Sequence, residues 1–202
     1  MKQAWRSVGL IAVAIVMTGC TDVMDTTSFG GPGGALGLRA GSEEGDILLG
    51  GPFDLAVYSA TDLETLEVML IAGTEENPTQ AVHIQMFWRP RAGKTPFDPS
   101  ATNASVNYVV FEGEQAGVYG GGGMLRLGDR PGEPRFSGTL RNATLRLLDA
   151  SEGFQPGQVG RRTVAAGGFT AQRDDQRTLE LTRKISILLE QRLGYPRMVE
   201  AR

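Results

Sequence analysis

Val82-His83-Ile84-Gln85-Met86-Phe87-Trp88-Arg89 carries an apolar residue at every second position. In an extended strand, successive side chains point to opposite faces. The spacing therefore predicts Val82, Ile84, Met86 and Trp88 on one face. His83, Gln85 and Arg89 are expected on the other, where Phe87 interrupts a polar surface and His83 is a half-buried or exposed structural histidine. A helix would scatter the same four apolar residues around its axis, so the pattern is that of a strand packed on a core.

The period recurs outward from this stretch. Phe53, Leu55 and Val57 alternate, as do Leu66, Val68 and Leu70 after a turn at Ala60-Thr61-Asp62. Val106, Tyr108 and Val110 follow, and Gly120–Gly123 reads as a bulge or bend before Met124-Leu125-Arg126-Leu127. Gly128-Asp129-Arg130-Pro131-Gly132-Glu133-Pro134 is a dense turn signal, and two further strands are expected over 136–148 and 163–172. No helical pattern separates the strands, which implies antiparallel pairing. The expected fold is mainly β: an antiparallel β-sandwich or open barrel of about seven strands with a C-terminal helix. Two periods compete in that tail. Leu181, Ile185, Leu188, Leu189 and Leu193 suit a helix capped by Asp174-Asp175 and stopped by Gly194 and Pro196. Leu179, Leu181, Ile185, Ile187 and Leu189 also alternate as in a long strand, and length favours the helix.

Composition narrows the chemistry. The chain of 202 residues holds 28 Gly but one Cys and one His, with a net charge of -3. One Cys forms no internal disulfide or Cys-rich zinc cluster. One His builds no His-rich metal site, and the charge offers no basic footprint for nucleic acid.

Ten uncharged residues, Val8 to Met17, follow Lys2 and Arg6. A helix of that length covers about 15 Å, half of a bilayer's hydrocarbon core, so the segment is too short to span. It has the charged and apolar regions of a secretory signal. Met17-Thr18-Gly19-Cys20 resembles the lipobox of bacterial lipoproteins. That resemblance implies cleavage before Cys20 and acylation of it, hence membrane attachment through lipid and not through a helix. Thr21 stands where an Asp would resemble an inner-membrane retention signal, so the outer membrane is expected. Removing residues 1–19 takes away Lys2 and Arg6, and the charge goes from -3 to -5.

Gly30-Gly31-Pro32-Gly33-Gly34 and Gly50-Gly51-Pro52 bracket a glycine-rich stretch. Ordering glycine costs more backbone entropy than ordering any other residue, so 20–51 is expected to be a flexible tether and 52–202 a single β-rich domain.

No catalytic constellation emerges. Ala92-Gly93-Lys94-Thr95 looks like the end of a phosphate-binding loop, but Trp88 stands where its first Gly is needed. Phe136-Ser137-Gly138 lacks the outer residues of a nucleophile elbow, and His83 is the only imidazole for a triad. Asp62, Glu64 and Glu67 gather near one turn and Glu112 with Glu114 near another, without a calcium-loop pattern. Asn103-Ala104-Ser105 and Asn142-Ala143-Thr144 are treated as chance sequons. Phe87, Trp88, Phe97, Tyr108, Phe111 and Tyr119 either fill a core or form a stacking surface. Trp88, with Arg89, Arg91 and Lys94 beside it, is the candidate recognition surface.

These features lead to a lipid-anchored envelope protein with a non-catalytic binding or scaffold role. It needs no cofactor or metal, and its partners are the membrane and an envelope protein or glycan. The alternatives are a carrier of an apolar ligand, with Met69, Met86 and Met124 lining a cavity, and an envelope hydrolase built on a carboxylate pair.

Overall fold

A computed structural model describes residues 33–40, 47–90 and 102–195. The fold is mainly β, with nine strands and one long helix in the order β1 (Ala35–Ala40), β2 (Ile47–Gly50), β3 (Leu55–Ala60), β4 (Leu66–Gly73), β5 (Pro78–Met86), β6 (Ala104–Glu112), β7 (Gln115–Leu127), β8 (Arg135–Ala150), β9 (Arg162–Arg173) and α1 (Asp175–Leu193). All nine strands belong to one sheet. Strands β3 to β9 correspond to the seven expected strands, except that β7 begins at Gln115 and runs through Gly120–Gly123, with a register shift between Gly122 and Met124, where the sequence placed its start at Met124; consecutive members pair antiparallel from β3 to β9. The sheet closes in a ring where β3 meets β9 in parallel, Val57 opposite Gln172 and Tyr58 opposite Arg173. Strand β1 pairs antiparallel with the rest of that β9 edge, and β2 pairs with β1.

The alternation sorts side chains into two cores. Leu66, Val68 and Leu70 of β4, Val82, Ile84 and Met86 of β5 and Tyr108 of β6 face the interior. There Tyr58, Phe136 and Phe169 stack in series, with ring centroids 5.1 Å and 6.1 Å apart. Met69 and Ile71 of β4, Ala81 of β5, Val109 of β6 and Val118 of β7 point outward, where Leu181, Ile185 and Leu189 of α1 cover them. Strands buried on both faces show why the apolar runs are denser than simple alternation requires.

The tail is helical. The Asp174 side chain accepts a hydrogen bond from the Arg177 backbone N–H at 2.8 Å, and Gly194 ends the helix in the left-handed conformation. Leu179 and Ile187, which a strand would bury with Leu181, are exposed. Arg192 fastens the far end, its guanidinium 4.9 Å from the Phe111 ring centroid and donating to the Gly113 carbonyl.

Three expectations are corrected. The tether assigned to residues 20–51 contains β1 and β2, so the domain does not begin at residue 52. Leu36 and Leu38 are fully buried in the interior core. Glycine misled the composition argument because it serves a close crossing here. A Cβ on Gly34 would lie 2.2 Å from the Gly168 carbonyl oxygen, and one on Gly167 would lie 2.3 Å from that of Ala35. Second, Trp88 does not share the face of Ile84: β5 ends at Met86, the chain bends, and Trp88 is half-buried outside both cores. Third, His83 is buried, because α1 covers the sheet face it occupies.

Candidate functional site

Cys20, Arg91, Lys94 and Phe97 lie outside the described residues. Of the Trp88 cluster, the indole Nε1 donates to the Thr102 carbonyl at 3.2 Å, and the Arg89 backbone N–H donates to Glu64 Oε2 at 3.2 Å. Both contacts brace the end of β5. Asn103 completes that corner: it is fully buried, accepts from the Leu125 N–H at 2.6 Å and donates to the Leu125 carbonyl at 2.9 Å. Its amide is occupied in structure, which removes the first sequon.

The carboxylates disperse. Asp62 Oδ1 accepts from the Glu64 and Thr65 backbone N–H groups, each at 2.7 Å, and these bonds hold its carboxyl below the usual carboxylate range. Glu112 and Glu114 flank Gly113 in the exposed β6–β7 turn. Glu67 instead meets His83, its Oε1 2.5 Å from Nε2, and accepts from the Thr182 hydroxyl at 3.2 Å. This places the carboxylate between the imidazole and the hydroxyl, whereas a nucleophile–base chain needs the imidazole in the middle. The trio ties α1 to the sheet. Among the described residues, no three His, Cys, Asp or Glu side chains converge as metal ligands. Met69 and Met86 face opposite sides of the sheet, so the methionines do not line one cavity.

A recess that no sequence motif announced opens on the outer face of β7, β8 and β9. Gly120, Gly121, Thr144, Leu145, Arg146, Leu148 and Arg162 line a cavity of about 450 Å³. Pairing builds it. Asn107 lies opposite Gly120, Gly120 opposite Arg146, and Arg146 opposite Arg162, forming one rung across four strands. Gly120 leaves a gap in that rung, and Leu148 leans over it, its Cδ1 2.4 Å from where a Cβ would stand. The outward direction of Arg146 depends on a bulge. From Leu140 to Ala143 strand β8 advances three residues while β9 advances two, Gly167 to Ala165, and Asn142 takes φ 48°. Leu140 and Ala143 are thus both buried, and Thr144, Arg146 and Leu148 turn to solvent. Strict alternation from Phe136 would have placed Arg146 inside. The one legible signal was charge: residues 120–173 hold eight Arg and no Lys against four Asp and Glu, a local +4 in a chain of -3.

No protein-family model, curated protein or solved structure matches this chain.

Proposed function

We propose that this chain is a lipid-anchored protein of the bacterial cell envelope, held at the outer membrane by acyl groups on Cys20. Its folded domain has a binding or scaffold role and no catalytic one. The observation that carries the reading is the position of the chain's only Cys, at the end of the leader in Met17-Thr18-Gly19-Cys20. The structure adds a length. Fourteen residues lie between Cys20 and Ala35, the first residue of the sheet, and the stretch reaches at most about 50 Å when fully extended. An anchored domain would stay near the bilayer surface. Among the described residues no helix is long and apolar enough to cross a membrane, so attachment in this reading falls to the lipid.

Metabolic labelling with a fatty-acid analogue tests it. Wild type is expected to carry label and to sediment with membranes, and Cys20→Ala to lose the label. An unlabelled wild-type chain, or a label that survives Cys20→Ala, would overturn the assignment.

A further inference from the structure

Arg146 and Arg162 stand directly opposite each other on β8 and β9, both exposed. Like charges at directly opposed positions of an antiparallel pair destabilise it. An acid at the neighbouring position of the rung would relieve such a pair. Here the next position in the rung is Gly120, which has no side chain. Neither guanidinium has an ion-pair or hydrogen-bond partner among the described residues, although the side chains of Arg173, Arg177 and Lys184 elsewhere on the surface all do. Both arginines line a recess of about 450 Å³ that also offers the exposed Thr144 and an apolar wall at Leu148.

We propose that this recess is an anion site that takes a phosphate group carried on a small organic body. A phosphate bears up to two negative charges and three acceptor oxygens, enough to engage both forked guanidinium groups, whereas one carboxylate neutralises only one of them. Leu148 and the exposed backbone at Gly121 receive the organic part. Arginine is suited to the role because its charge persists at every physiological pH and its fork matches phosphate geometry. This proposal does not depend on lipid attachment at Cys20.

The phosphate could be that of a soluble phosphomonoester or of a lipid headgroup, and the experiment separates them. The full chain, purified in uncharged detergent micelles, is titrated in turn with inorganic phosphate, glycerol phosphate and micelle-incorporated phosphatidic acid, a lipid phosphomonoester, with phosphatidylcholine as the zwitterionic control. Backbone amide shifts of Gly120, Gly121 and Arg146 report binding. Saturable shifts with glycerol phosphate identify a soluble ligand, and shifts with phosphatidic acid alone identify a headgroup. In either case Arg146→Gln or Arg162→Gln should weaken binding at least tenfold, and the double variant should abolish it. Gly120→Val, which keeps both charges but drives Leu148 out over the recess because a Cβ there meets Leu148 Cδ1 at 2.4 Å, should also abolish binding. Unchanged amide dispersion elsewhere, together with a denaturation midpoint no lower than wild type, shows that the arginine variants remain folded. Absence of shifts with all three probes overturns the proposal, and so do shifts that persist in the double variant or in Gly120→Val.

Discussion

The Tyr119 hydroxyl is the one described buried side-chain polar atom without a hydrogen-bond partner. Its ring packs 5.9 Å from that of Tyr108, whose own hydroxyl donates to Gln80 Oε1 at 3.1 Å. Burial, with a smaller contribution from the nearby Glu112 charge, pushes the Tyr119 pKa up from 10.0 to about 12. The fold thus favours the neutral phenol. The stability this represents is fully present below pH 10 and is lost as pH rises through about 12. An unsatisfied buried hydroxyl costs about 1–3 kcal/mol, so Tyr119→Phe should raise stability by about 1 kcal/mol in urea denaturation. It should also reduce the loss between pH 10 and 12, with the remainder due to Tyr58 and Tyr108, whose pKa values burial also raises. A lower midpoint for Tyr119→Phe at neutral pH would show that the hydroxyl has a partner. At β5, Ile84→Ala should cost about 2–5 kcal/mol, because Ile84 is fully buried in the interior. Gln85→Ala should stay within about 0.5 kcal/mol, since Gln85 is half-buried on the other face. Equal midpoints for these two variants would contradict the register. The direction of Val82, Ile84 and Met86 was legible in the sequence because the pleat alone fixes it. The burial of His83 was not, because the cover comes from a helix about 100 residues later in the chain.

At the scale of elements, alternation located β3 to β9 because each of these strands buries at least one continuous face. The helix was less readable: its cap at Asp174 and its stop at Gly194 favoured it, but Leu179 and Ile187 also fitted the alternation of a long strand, and both are exposed on the helix. Strands β1 and β2 escaped notice for a physical reason. Glycine is scored as entropic cost, yet where backbones cross within a side chain's width it is the residue that fits. The β1–β9 contact makes this testable. Gly167→Ala would set a Cβ 2.3 Å from the Ala35 carbonyl oxygen, a backbone atom that cannot swing away. The strands would have to separate locally, at a cost of about 1–3 kcal/mol, typical of overpacking. Hydrogen exchange across Ala35–Ala40 is the sensitive readout, since protection there requires β1 to remain paired. Fast exchange at Leu36 and Leu38 in the wild type would mean that β1 is not part of the stable sheet. The arginine recess was illegible for a related reason: its residues come from three strands, and the bulge at Asn142 sets their direction.

For the molecule as a whole, the decisive question is how the ring is sealed. Strand β9 carries the closure alone. One edge pairs with β8, while the other is divided between β1 over residues 163–168 and β3 at residues 172 and 173. Two residue pairs with β3 are a thin seam, and β1 supplies the rest of the pairing along that edge. A chain beginning at Pro52, the domain boundary that composition suggested, would lack β1 and β2. It would leave most of one β9 edge unpaired and remove Leu36 and Leu38 from the interior. Each buried leucine contributes about 1.5–3 kcal/mol, so the two together amount to about 3–6 kcal/mol before the lost ladder bonds are counted. Domains are stable by only about 5–15 kcal/mol, so the loss would consume much of the total. The exposed edge would also be a template for pairing between chains. The shortened chain should therefore show a much lower urea midpoint than one beginning at Thr21, together with concentration-dependent association in size-exclusion chromatography. If the two chains unfold at the same midpoint and both remain monomeric, β1 contributes nothing to closure, and the seam between β3 and β9 is sufficient on its own.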